Sequence, residues 1–436
     1  MKTRRDFLKT CAALSLAAQA SAQTSADYKA LVCVFMFGGN DGNNVIVPME
    51  TTEYGQYTRG RAQLALSLQD LLPISGQGKA YGLHPSLTGV RTLYQRGRAA
   101  IIANTGTLVQ PLTRQQFLDE RAVTPRNLFS HSDQTSEWQS GNPQGGAGTG
   151  WAGRIIDSIG VDPGASLPPS ISVAGNALLL AGLKSTAANL TPGNEFGLDT
   201  FGGGDDDTAR LEAFMQILNQ QGQSKLAAPF TRLLTDGLNN AREVRKILDG
   251  APDLATAFPD TELGRQLQQV AKLISVRARL GASASRQVYF CSLGGFDHHS
   301  DLLNSQANLL NQVDAALSAF QLATDELGVA NSVTTFTASE FSRTFAANST
   351  NGSDHAWGSN HLILGGAVKG GQIYGRFPLL EPNGTDDAAD RGQWIPSTSL
   401  DQYAGTLATW FGVPASAMLD VFPNRANFAA GGLGFV

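Results

Sequence analysis

Cysteine, charge and long apolar runs are all scarce in this chain of 436 residues, and each shortage excludes something. Three cysteines cannot build a disulfide framework. Cys33 and Cys291 each sit inside an apolar strand-like run, where buried inert thiols are the expected state. Charged residues make up 16% of the chain, the net charge is −5, and Lys and Arg are scattered. That leaves no basic patch for nucleic acid or for an anionic membrane surface. Beyond the N-terminus no run approaches the ~20 apolar residues that span a bilayer; even ISVAGNALLLAGL is short and interrupted. The glycine-rich FGGNDG lacks G-x-G-x-x-G spacing and runs into Val45-Ile46-Val47-Pro48 instead of a helix, so it is no dinucleotide fingerprint. A G-x-S-x-G elbow is also missing, which removes the usual sign of a serine esterase.

What is present begins with MKTRRDFLKTCAALSLAAQASAQ. Paired Arg4 and Arg5 precede Phe7-Leu8-Lys9, a short apolar run and the small-residue exit Ala20-Ser21-Ala22. This pattern reads as a twin-arginine export signal over residues 1–22, with the translocon as partner during export. A periplasmic or secreted protein that leaves the membrane after processing is expected. That route carries folded cargo, which suits a protein that acquires a cofactor before leaving.

Five short runs rich in β-branched and aromatic residues read as buried strands: LVCVFMF (31–37), AAIIAN (99–104), VYFCSL (288–293), VTTFTA (333–338) and HLILGG (361–366). Between the third and fourth, Leu302, Leu309, Leu310, Val313, Leu317, Phe320 and Leu322 recur at three-four spacing until Gly328, so 301–328 reads as a helix. Strand, helix, strand makes a βαβ unit, and the expected fold is α/β with a mostly parallel sheet between helices. Residues 151–280 are more polar and turn-rich, with helical patterns at 207–221 and 225–249, and read as an insertion or cap within a domain spanning 23–436. The run GGGDDD lacks the alternating acids and closing Glu of a calcium loop; acids at a helix start suit the macrodipole instead.

Ligands in open parallel sheets bind outside the carboxyl ends of the strands. Those ends here deliver one kind of residue. The first strand runs into GGNDGNN with Asp41, the third into GGFDHHSD with Asp297, His298 and His299, and the fourth into SEFSR with Glu340 and Arg343. GSDHAWGSNH, with Asp354, His355 and His361, precedes the last strand. Carboxylates with imidazoles are the ligand set of a divalent cation such as zinc or manganese. Each residue alone also has a plain explanation as turn former, helix cap or structural histidine. In GGFDHHSD, residues two apart share a side, so Asp297 and His299 are expected to bind with His355 while His298 points away. The stretch NLFSHSDQ holds His131 and Ser132 at the start of a helical pattern; Ser132 could be a nucleophile, or Ser132 or Asp133 an ordinary cap.

The pieces TRRDFLK, LVCVFMFGGNDGNNVIVP, LFSHSDQ, GGFDHHSD, VTTFTASEFSR and GSDHAWGSNHLILGGAVKGGQIYG, with the closing DQYAGTLATWFGVP, are similar to a family of twin-arginine-exported bacterial proteins of unknown function. That family resembles the alkaline phosphatase and sulfatase superfamily. The resemblance implies a sheet with one or two metals at its carboxyl edge and hydrolysis of phosphate or sulfate esters. It also implies Asp41, Asp297, His299, Glu340 and His355 as metal ligands and a nucleophile in the region of Ser132. From the residues themselves, His131 reads as a ligand or as a group orienting one, and Arg343 as an oxyanion clamp or as one half of a surface ion pair; with Ser132 they are the catalytic candidates. Two features depart from the pattern: Glu340-Phe341 stands where the phosphatases have Asp-His, and Asp297 and His299 are closely spaced. The departures favour the alternative, an exported binding or structural protein with a remnant site.

Overall fold

The structure is a computed structural model and describes residues 27–146, 148–160, 167–190, 192, 209, 210, 212–217, 235, 241–281 and 285–436. The export signal expected over 1–22 lies outside them, as does most of the two helical patterns expected at 207–221 and 225–249. In chain order the described strands are β1 Lys29–Met36, β2 Ile46–Pro48, β3 Leu72–Gly76, β4 Lys79–Leu83, β5 Ala99–Gly106, β6 Ser170–Ser172, β7 Ala187–Asn189, β8 Arg286–Leu293, β9 Val333–Ala338, β10 Ser359–Gly365, β11 Ile373–Tyr374 and β12 Thr398–Ser399. Nine of them form one sheet in the order β11-β5-β10-β9-β1-β8-β6-β7, with β12 also on β5, while β2, β4 and β3 form a small antiparallel sheet beside it.

Side chains alternate across a strand, and the five apolar runs obey that period with a core on each face. In β1, Ala30, Val32, Val34 and Met36 enter one core and Leu31, Cys33 and Phe35 the other. In β8, Tyr289, Cys291 and Leu293 oppose Val288 and Phe290 in the same way. The first core is closed by the helices Glu262–Ser275, through Leu263, Leu267 and Ile274, and Leu302–Glu326, through Leu310, Val313, Leu317 and Phe320. The second is closed by Trp151–Ile159 and Leu400–Phe411, through Trp151, Ile155, Tyr403 and Leu407. The result is the expected mixed α/β fold, a mostly parallel sheet between helical layers.

Three details differ from the reading of the sequence. Leu322 is 56% exposed and lies off the helix stripe. The described ends of segment 151–280, expected as an insertion or cap, contribute core: its first helix covers one face of the sheet, β6 pairs with β8 within the sheet, and Glu262–Ser275 covers the opposite face. Finally, β10 runs antiparallel to both β5 and β9, whereas β1 is parallel to β8 and β9. This reversal brings the start of β10 to the same edge as the ends of β1, β8 and β9. Loops 38–41, 294–301, 339–343 and 353–358 therefore meet there.

Candidate metal centre

Close approach of those loops depends on Gly38 and Gly39, at φ +114° and +80°. A Cβ on Gly38 would lie 2.4 Å from the amide nitrogen of Asp297, and one on Gly39 would lie 2.3 Å from the ring of Phe341. Only glycine permits both the left-handed backbone and this contact. An isolated antiparallel bridge between Arg343 and His355 ties two of the loops together.

At the centre is one carboxylate oxygen, Oδ1 of Asp297. Nε2 of His299 lies 3.0 Å from it, Nε2 of His355 3.4 Å and Nε2 of His131 3.5 Å, and the His299 and His355 Nε2 atoms are 3.1 Å apart. His131, Asp297 and His355 offer donor atoms all within 4.8 Å of one another. Each histidine is held at its other nitrogen. Nδ1 of His131 donates to Glu340 at 2.8 Å, Nδ1 of His299 to Asp354 at 3.1 Å, and Nδ1 of His355 to the carbonyl of Phe129 at 2.7 Å. A ring that donates through Nδ1 in its neutral form carries its lone pair on Nε2, so three lone pairs face one carboxylate.

That arrangement suits a cation. Donors bound at the ~2.0–2.1 Å typical of zinc and nitrogen or oxygen lie roughly 3.3 Å apart at tetrahedral angles, and the separations here scatter about that value. Nδ1 bonds to carboxylates and a carbonyl are the usual orienting shell of metal-binding histidines. His131 Nε2 is moreover buried without a hydrogen-bond partner. The residues present therefore fit a divalent cation held by His131, Asp297 and His355, with Nε2 of His299 beside Asp297 and His355 as a fourth donor on that side.

Charge at the site follows from contacts. The hydrogen bond that His131 donates to Glu340 raises the pKa of His131, whereas burial lowers that of His355. Burial of Asp297 works against its charge, but the hydrogen bond and charge of Arg343, followed by the nearby histidines, outweigh it and hold its carboxyl below the ordinary value. Phe341 is fully buried and stacks on His355, with centroids 4.7 Å apart and planes at 27°, and lies equally close to His131.

Several residues named from the sequence stand elsewhere or do something else. Asp41 is fully buried and caps residues 42–45 through Oδ1, while Oδ2 pairs with the buried Arg61, so it is not among the converging donors. Glu340 turns its carboxylate to His131 and to the amide of Gly38, 2.8 Å away, and orients a ligand. The guanidinium of Arg343 is fully buried, bound to Asp297 at 2.7 Å and to the carbonyls of Gly38 and Ser353. In that state it positions Asp297 and has no face for a substrate oxyanion. Ser130, not Ser132 or Asp133, caps the helix His131–Ser140, and Ser132 is exposed with its hydroxyl 3.2 Å from that of Ser130. His298 is turned inward, 6% exposed, and His361 is fully buried between Trp138 and Tyr403, its pKa lowered to about 3 by burial.

Asp354, named from the sequence without a role, and Phe129 and Arg391, not named there, complete the setting. Arg391 holds Asp354, which orients His299. Asp354 sits beside His355 in the chain, a hint that could have been used; Phe129 acts through its carbonyl, which any residue carries.

Comparison with known proteins gives a family model described as "Protein of unknown function (DUF1501)", which matches residues 28–391. No curated protein matches the chain. Among solved structures, similarity extends to Ps i-CgsB in complex with k-i-k-neocarrahexaose, at 8% identity over 94% of this chain and 75% of that one, TM-score 0.34. It extends also to the lipoteichoic acid synthase LtaP from Listeria monocytogenes, at 7% identity over 86% and 76%, TM-score 0.33. A third is the phosphonate monoester hydrolase of Agrobacterium radiobacter, at 9% identity over 93% and 78%, TM-score 0.35. Likeness of this degree transfers no chemistry to the chain.

Proposed function

The chain belongs to the DUF1501 family, whose description names no activity, and from that premise we propose that it is an exported, metal-dependent hydrolase of phosphate or sulfate esters. The observation that carries the reading is the convergence of three Nε2 atoms on Oδ1 of Asp297. Imidazole donors with one carboxylate favour zinc over manganese. A cation bound there supplies Lewis-acid polarisation of an ester oxygen. The chain's own residues do the rest. Arg343 fixes Asp297, while Glu340, Asp354 and the Phe129 carbonyl fix the three rings. Ser132, exposed and next to His131 at a helix start, is the hydroxyl this reading takes as nucleophile; it lies 3.2 Å from the hydroxyl of Ser130 and 3.4 Å from Asp133.

The experiment is a turnover screen of the purified mature chain, loaded with zinc or manganese, against aryl phosphate monoesters, diesters and sulfates. Hydrolysis that vanishes on chelation, returns with metal and falls at least a hundredfold in Ser132→Ala is expected. A protein that holds its cation yet turns over none of these esters would overturn the hydrolase and leave the second reading, a periplasmic binding or structural protein. The burial of Arg343 favours that second reading, since it leaves no cationic clamp for an ester anion.

Export is part of the same proposal. Among the described residues no helix is long and apolar enough to cross a membrane. Replacing Arg4 and Arg5 with lysine is expected to leave unprocessed precursor in the cytoplasm, measured by fractionation and immunoblotting. Normal maturation of that variant would sink the assignment.

A further inference from the structure

The residue that holds His355 is itself held in an unusual way. Phe129 sits at φ +71°, a left-handed conformation in which a bulky aromatic residue is rarely found, and it follows Asn127 at φ +47°. Such backbone persists where its surroundings over-determine it. Here both peptide groups of Phe129 are engaged. Its N–H donates to Oε1 of Gln134 at 2.6 Å, and its carbonyl accepts from Nδ1 of His355 at 2.7 Å. Gln134 is fully buried in the first turns of the helix His131–Ser140, and its Nε2 has no hydrogen-bond partner, so the contact to Phe129 is what its side chain provides. The ring of Phe129 packs with Leu108, Trp357 and Ile395.

We propose that Gln134 and the left-handed Phe129 are positioning residues that fix which nitrogen of His355 faces the cation site. A carbonyl oxygen can only accept, so the ring of His355 must carry its proton on Nδ1 and leave the Nε2 lone pair toward Asp297. The other two rings are oriented by carboxylates, Glu340 and Asp354. His355 alone depends on a backbone atom, and a backbone atom is aimed only by the local chain conformation. His131 starts the same helix two residues later, so this junction also places the backbone of a second histidine, whose ring Glu340 then orients. The inference rests on the reading of the cluster as a metal site.

The test uses the metal-free mature chain with ¹⁵N-labelled histidine, His355 being assigned by its replacement. The ring nitrogen shifts report the tautomer directly, and zinc affinity is measured beside them by competition with a chromophoric chelator. Wild type should show His355 protonated on Nδ1. Gln134→Leu should populate the other tautomer and bind zinc ~10–100-fold more weakly, the range of losses from outer-shell partners. Gln134→Glu keeps the acceptor and should restore both readouts, and Phe129→Gly, which adopts positive φ freely and keeps the carbonyl, should retain the tautomer. Thermal unfolding identifies any variant that fails to fold. A folded Gln134→Leu with an unchanged tautomer, or a Gln134→Glu no better than it, would overturn the proposal. Should wild type take up no zinc, the metal reading fails, while the tautomer of His355 still decides the role of Gln134.

Discussion

His299→Ala should leave the mature protein without its divalent cation, whereas His298→Ala should keep most of it. The two side chains are adjacent, yet they face different surroundings. His299 brings Nε2 to 3.0 Å from Asp297 and 3.1 Å from His355, half exposed at the sheet edge. His298 is buried, its ring faces the Gly295 backbone and no converging donor, and burial lowers its pKa. Its loss removes packing and touches no converging donor. Losing a ligand leaves three donors and an open face, while outer-shell losses weaken affinity by only ~10–100-fold. Metal content after dialysis, measured by elemental analysis, separates the two, and Asp297→Asn should behave like His299→Ala because it removes the one negative charge at the centre. If His298→Ala strips the metal and His299→Ala does not, the centre has been placed on the wrong side of the loop.

How much of this was legible beforehand depends on the kind of fact. The five apolar runs became neighbouring strands because a strand buried on both faces needs no particular partner to reveal itself; composition is enough. The edge where the chemistry gathers was legible too, since each strand end delivers its next residues there. The reversal of β10 was not, because a strand's direction leaves no mark in its own residues. Nor was the division of labour among the acids. Glu340 and Asp297 both follow strands, yet one meets Nδ1 of a histidine 209 positions away and the other meets three Nε2 atoms. A strand end says where a carboxylate is presented; the partner it finds is a tertiary fact.

Asp41 shows the same limit and yields the largest expected loss of stability. Its position after β1 suggested a metal ligand, but the helix Thr51–Arg61 brings Arg61 against it, and both side chains are fully buried. All the polar side-chain atoms of the pair except Nε of Arg61 have partners. Arg61 also donates to the carbonyls of Thr344 at 3.1 Å and Phe345 at 3.0 Å, and Asp41 Oδ1 accepts from the backbone and side chain of Asn43. Removing one partner strands the other charge in the interior, which typically costs ~3–5 kcal/mol, more than the intact pair contributes. Asp41→Ala and Arg61→Ala should each lower stability by about that amount in urea unfolding followed by circular dichroism. The double variant should lose much less than the sum of the two, because no charge is left unpaired. Thr344 and Phe345 directly follow Arg343, so the pair also anchors the loop that aims the Asp297 clamp; even so, a folded Asp41→Asn should retain its cation at the wild-type stoichiometry. Loss of metal from Asp41→Asn at unchanged stability would return Asp41 to the ligand set and remove the structural role given to it here.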